Sequence, residues 1–183
     1  LLAYAEDSVG RRQYTLRFKD LASGELLPDV IENVEPAVAW AADSRTVIYI
    51  EKDPQTLLGS RVRKHVLGTD STADPLVYEE PDDAFYLDVS RSKDGRHLYI
   101  HADSTVSSEQ WFADAGDPGL EFRLIVPRER DHAPYVVGVG RANDRGRPAV
   151  DPTVEGGASI VVPGVVGHDH GAGVNRTALE GVV

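Results

Sequence analysis

The feature that most constrains this chain is a repeat. Three apolar bursts resemble one another: Leu1-Leu2-Ala3-Tyr4-Ala5-Glu6-Asp7, Thr46-Val47-Ile48-Tyr49-Ile50-Glu51-Lys52-Asp53 and His97-Leu98-Tyr99-Ile100-His101-Ala102-Asp103. Each has a tyrosine followed by Ala or Ile and closes on Asp, and the tyrosines stand 45 and 50 residues apart. Self-similarity at a period of about 20–50 residues marks units that stack on one another. The second and third bursts follow turn-like segments, Ala42-Asp43-Ser44-Arg45 and Lys93-Asp94-Gly95-Arg96. Asp-Gly is a hairpin signal, because glycine accepts a positive φ without a Cβ clash. The three tyrosines read as equivalent core positions, and Trp40 and Trp111 as core too.

A second element follows each burst. In Arg12-Gln13-Tyr14-Thr15-Leu16-Arg17-Phe18-Lys19-Asp20, the residues Tyr14, Leu16 and Phe18 alternate with polar ones. A period of two is a half-buried strand. The counterparts are Arg61 to Gly68 and Glu109 to Asp114, each followed by a turn and a returning strand at Leu76-Val77-Tyr78-Glu79 and at Glu121 to Val126. Val38-Ala39-Trp40 and Tyr86-Leu87-Asp88-Val89 add a further strand each. Units of about 45–50 residues with four short strands are blades of a β-propeller. A β-sandwich also spaces strands every ~8–12 residues, but has no reason to repeat its sequence. The expected fold is all-β: a partial propeller of about two to three four-stranded antiparallel blades over residues 1–133. The expected remainder is an irregular tail.

That tail, residues 134–183, changes character abruptly. It holds 10 of the 17 glycines, 12 valines, no lysine and one aromatic, Tyr135. Such a segment buries little area per residue and offsets chain entropy poorly. It reads as disordered, or as an out-of-frame stretch of a GC-rich gene. The start at Leu1-Leu2 without Met reads as a fragment of a longer reading frame.

Composition removes several classes of function. No Cys means no disulfide scaffold and no thiolate chemistry. A net charge of -11 argues against nucleic acid as a partner. No apolar run approaches the ~18 residues of a membrane span, so no membrane is expected. The acidic run Glu79-Glu80-Pro81-Asp82-Asp83 is a solvated loop on charge alone, or a patch that steers cationic peptides. His168-Asp169-His170 has the i, i+2 spacing of paired metal ligands on a strand but lacks a third ligand. No metal and no cofactor are expected. Asp131-His132 has no nucleophile attached to it. No Gly-x-Ser-x-Gly elbow occurs, and Ser60 and Ser159 sit on no strand-to-helix turn, so no catalytic residue is expected.

Residues 1–133 resemble the oligopeptidase B (protease II) branch of the prolyl oligopeptidase family. The resemblance rests on Leu2-Ala3-Tyr4-Ala5-Glu6-Asp7 with Arg11-Arg12-Gln13-Tyr14, and on Asp29 to Pro36 with Asn33-Val34-Glu35-Pro36. It continues through Trp40-Ala41 with Asp43-Ser44, His65 with Gly68-Thr69, Tyr78-Glu79-Glu80 with Asp82-Asp83, and Leu124 with Pro127-Arg128 and Asp131-His132. The resemblance implies a cytoplasmic serine peptidase that cleaves short peptides after Arg or Lys. It implies a seven-bladed propeller over an α/β-hydrolase domain, the second absent from this chain, as are its Ser-Asp-His triad and the carboxylates that read a basic side chain. This chain alone is therefore expected to be inactive, its partners being the hydrolase domain and, in the parent, short basic peptides. By motif position, Arg12 and Glu35 are implied as the propeller side of interdomain salt bridges. Taken alone, each is a surface charge worth about 0–1 kcal/mol. The other reading is a stand-alone binding module of a few blades.

Overall fold

Each apolar burst forms a strand: β1 (Leu2–Glu6), β4 (Thr46–Lys52) and β8 (His97–Asp103). The element after each burst is also a strand: β2 (Tyr14–Lys19), β5 (Gly59–Val66) and β9 (Ser108–Asp114). β3 (Leu26–Trp40), β6 (Leu76–Glu79), β7 (Tyr86–Arg91) and β10 (Arg123–Val126) complete the set. The computed structural model describes residues 1–128 and, beyond them, β11 (Val136–Gly138), β12 (Ala158–Val162) and β13 (Val165–Asp169). Among the described residues, the one helical piece is a 3₁₀ turn at Ser71–Ala73, capped by Asp70.

Strands join in chain order, β1 to β6 as one hydrogen-bonded run and β7 to β10 as another. The run of six is two blades that share a long strand. The first part of β3 pairs with β2 (Leu16↔Ile31), and the last part pairs with β4 (Trp40↔Val47). The register shifts between Val34 and Val38. There Asn33 takes a left-handed φ of 58°, which Asn tolerates better than most residues, and Pro36 offers no N–H to a ladder. Blade I is therefore β1, β2 and the start of β3. Blade II is the end of β3 with β4, β5 and β6, and blade III is β7 to β10. This is the partial propeller the repeat implies.

Alternating side chains let one strand feed two cores. Leu16, Phe18 and Ile31 of blade I pack with Val47 and Tyr49 of blade II. Ile48, Ile50 and Val62, on the other face of blade II, pack with Val89, Leu98 and Ile100 of blade III. At the first seam His65 is fully buried. Its Nδ1 lies 3.0 Å from Asp74 Oδ1 and its Nε2 lies 3.1 Å from Asp29 Oδ1. Asp29 comes from blade I, so the imidazole bridges two blades. The Tyr49 hydroxyl donates to Asp74 at 3.0 Å. Burial, and then the Asp74 charge, push the Tyr49 phenol well above its ordinary value.

One expectation needs correcting. Tyr49 and Tyr99 are not equivalent. The turns before β4 and β8 superimpose in their bonding: Ala41 N donates to Thr46 O, and Ser92 N donates to His97 O. Asp43 and Asp94 each accept the N–H two residues on. Counted from these turns, which lie 51 residues apart, Tyr99 matches Ile48 and Ile100 matches Tyr49. A slip of one residue moves a side chain to the other face of a sheet. Tyr49 points into the first seam, whereas Tyr99 points away from blade II.

Within the Gly/Val-rich tail, the described strands pair in the order β11-β13-β12, with Val162 opposite Val165. Short runs of β-branched valine favour such strands. Asp131, His132 and His170 lie outside the described residues, as does most of the segment read as disordered or out of frame.

Candidate docking face

Antiparallel order places the β1–β2, β4–β5, β6–β7 and β8–β9 connections at one end of the blades. Side chains link the blades there: the Tyr78 hydroxyl lies 3.0 Å from Glu109, and Arg128 Nη2 donates to Glu80 at 2.6 Å. Arg12, Glu35, Glu79, Glu80, Asp82 and Asp83 all fall at this end, which we term the loop face.

Arg12 sits on the β1–β2 loop with φ 58°. Asp7 holds that loop by accepting the N–H groups of Val9, Gly10, Arg11 and Arg12 at 3.2, 2.7, 3.2 and 2.8 Å. These bonds, that of Arg12 foremost, keep the Asp7 carboxyl below the usual carboxylate range. The guanidinium groups of Arg11 and Arg12 are exposed and form no ion pair among the described residues.

Glu35 lies across from this loop. Its Oε1 is 2.8 Å from Lys52 Nζ, and the same ammonium donates to the Arg12 carbonyl at 2.8 Å. The Lys52 side chain is only 4% exposed, whereas that of Glu35 is 29% exposed. Asn33 Nδ2 in turn donates to the Lys52 carbonyl at 2.8 Å. Lys52 thus ties together the two positions that the family resemblance singles out. Sequence reasoning missed it, although Ile48, Ile50 and Lys52 share one face and a cation on an apolar face needs a partner. The group borders a cleft of about 520 Å³ whose apolar wall includes Leu57, Leu58, Phe85 and Tyr86.

The acidic run is not one patch. Glu80 is buried and engaged: Arg128 donates to it at 2.6 and 3.3 Å, and Asp82 N donates at 2.9 Å. Arg128 also stacks 3.7 Å over the Phe85 ring. Glu79 pairs with Arg61 at 3.2 Å. Asp82 caps its own turn through Ala84 N. Asp83 alone of the four is exposed without a hydrogen bond or ion pair among the described residues. Alternation explains Glu79 facing out, but Glu80 finds its partner 48 residues away, beyond any local pattern.

Ser60 lies within β5, with no helix after it. A nucleophile–base pair of sorts does exist: Ser90 Oγ lies 2.9 Å from His101 Nε2. Burial holds the His101 imidazole below its ordinary value, against the nearby Asp103 and Asp88 charges. Both residues sit on the flat of a blade and border neither the cleft above nor the crevice beside Tyr49 and Arg63. No group of three His, Cys, Asp or Glu among the described residues is placed to hold a metal ion. Nor is any described helix long and apolar enough to cross a membrane.

The blades define the class, a β-propeller segment. Residues 1–142 match the family described as prolyl oligopeptidase, N-terminal β-propeller domain, and the match runs past the change of composition near residue 134. The chain belongs to this family. It is 55% identical to dipeptidyl aminopeptidase BI of Pseudoxanthomonas mexicana over 72% of this chain and 18% of that protein. It is 33% identical to Protease 2 of Moraxella lacunata over 74% of this chain and 20% of that protein. Oligopeptidase B from Leishmania major has a similar structure, with a TM-score of 0.71 at 25% identity, covering 76% of this chain and 20% of that one. The chain thus spans about a fifth of the length of the relatives it matches.

Proposed function

We propose that this chain is the gating and docking segment of a cytoplasmic serine peptidase that cleaves short peptides after Arg or Lys. The match of residues 1–142 to the propeller domain carries the reading. The loop face is the side presented to an α/β-hydrolase domain, with Arg12 and Glu35 as the contacts. Arg12 suits a carboxylate because its planar fork is unengaged. Glu35 already holds Lys52, so an incoming cation shares that carboxylate. Asp83, with Glu79 and Asp82, draws basic peptides toward the opening, while Glu80 braces the loop that carries them. Among the described residues no serine–histidine pair borders the cleft, and on this reading the chain alone leaves peptides intact.

The test is hydrolysis of a short chromogenic peptide ending in Arg, by the full-length protein and by the 183-residue chain. Cleavage by the first alone is expected, and cleavage by the purified chain overturns the reading. A second reading has its own support, since 55% identity links the chain to a dipeptidyl aminopeptidase. An N-terminally blocked peptide separates the two: an enzyme that cleaves internally accepts it, and one that removes dipeptides from a free terminus does not.

A further inference from the structure

The cleft on the loop face carries a charge opposite to that of the chain as a whole. Its charged lining is Arg11, Arg12, Lys52 and Glu35, three cations against one carboxylate, in a chain of net charge -11. Lys52 and Glu35 offset each other at 2.8 Å. The positive excess is therefore the two guanidinium groups, which are exposed and form no ion pair among the described residues. Glu79, Asp82 and Asp83 do not line this cleft.

Each blade contributes to the walls. Arg11 and Arg12 come from the β1–β2 loop of blade I, Leu57 from the β4–β5 loop of blade II, and Phe85 and Tyr86 from the start of blade III. Leu57 is 39% exposed and Tyr86 is 69% exposed, so their apolar surface is open to a ligand. A cleft of about 520 Å³ with apolar walls and a few fixed polar groups has the size and lining of a ligand site. Its cationic side is set in advance. Asp7 accepts the Arg11 N–H at 3.2 Å and that of Arg12 at 2.8 Å, and Lys52 Nζ donates to the Arg12 carbonyl at 2.8 Å. A loop fixed before binding gives up little freedom when a ligand arrives.

We infer that this cleft takes the C-terminal end of a peptide substrate, with the α-carboxylate on Arg11 and an apolar last side chain against Leu57 and Tyr86. The inference rests on the peptidase reading and adds to it a preference for the far end of the substrate. A guanidinium fork matches a carboxylate with two parallel N–H···O bonds, and a terminal carboxylate is the anion that every peptide carries. Arg12 serves the contact with the hydrolase domain, which leaves Arg11 for the substrate. The middle of a long chain has no α-carboxylate to offer. The site therefore favours peptides short enough for their end to reach the cleft. Arg11 is on this account a specificity residue that holds the substrate away from the bond that breaks.

The experiment uses the full-length protein and peptides that begin Ala-Arg and end in Phe, with glycine spacers of increasing length between. Each is made with a free C-terminal carboxylate and as the carboxamide. Their free N-termini suit internal cleavage after Arg and removal of a dipeptide alike. At the spacer that reaches Arg11, the acid should have a KM about three- to tenfold below that of the amide with kcat unchanged, as for one partly exposed charged contact. Arg11→Gln should raise the KM of the acid to that of the amide, and Arg11→Lys should keep part of the difference. Equal KM values for acid and amide at every spacer overturn the inference. A preference undiminished in Arg11→Gln also overturns it, since the carboxylate then sits elsewhere. Cleavage of neither form by the wild type overturns the peptidase reading itself, and the inference with it.

Discussion

The Lys52–Glu35 pair predicts an asymmetry between its two members. In Glu35→Ala the Lys52 ammonium keeps the Arg12 carbonyl but loses its counter-charge, with only 4% of its side chain in reach of water. Removing one partner and stranding the other charge in the interior costs about 3 kcal/mol. In Lys52→Met the stranded group is Glu35, whose side chain is 29% exposed and can rehydrate. That loss should be nearer about 1 kcal/mol, the net value of the contacts forgone. Lys52→Met with Glu35→Ala strands neither charge and should cost less than Glu35→Ala alone, a coupling of about 2 kcal/mol. Urea unfolding of the 183-residue chain followed by tryptophan fluorescence measures all three, because Trp40 and Trp111 each pack against a blade core. Equal losses in the two single variants, or a double variant equal to their sum, would refute the reasoning.

Gly59→Ala should destabilise the chain by about 1–3 kcal/mol. Its Cβ would stand 2.8 Å from Ile50 Cγ2 and 2.9 Å from Glu35 Cγ, so a melting temperature unchanged from wild type would count against the close approach. Asp7→Ala releases four N–H groups of the Arg12 loop. Trypsin should then cut after Arg11 or Arg12 several-fold faster, and an unaltered cleavage rate would mean the loop is held by other contacts. Stability should also fall on acidification: burial lowers the folded His101 value, so the unfolded chain takes up that proton first once the pH drops below about 6.5. Thermal scans from neutral to mildly acid pH check this, and His101→Gln should flatten the decline. Asp103, raised by burial, works in the opposite sense at lower pH, so the slope is to be read near and just below pH ~6.5.

How much of this was legible in the sequence follows from the range of each interaction. Strands were legible because alternation is a local property: Tyr14, Leu16 and Phe18 declare one face of β2 within five residues. The blade period was legible because turns recur with their own chemistry at Asp43 and Asp94. The register of the third blade was not. A tyrosine is a conspicuous marker, but the strand after the turn is offset by one, and turn bonding rather than residue type sets which side faces inward. Val38-Ala39-Trp40 reads as a strand of its own, whereas it is the end of the long β3. The chain instead passes from one blade to the next through a bulge and a left-handed Asn33.

The site was legible in proportion to how much of it lies on one hairpin. Arg12 and Glu35 stand out through motif position, and each marks a loop whose own residues shape it. What joins them is Lys52, 40 residues from Arg12, at a place where an alternating run ends in a cation. A lysine there reads as solvated until the neighbouring blade is seen to bury it. Glu80 makes the same point from the opposite side. In an acidic run it reads as a surface charge, yet Arg128 and the Tyr78 hydroxyl enclose it. Composition predicts charge at a surface, whereas the pairing of charges across blades depends on strand order. Under the docking reading proposed above, the residues to substitute first are those whose charges form no ion pair among the described residues, Arg11, Arg12 and Asp83.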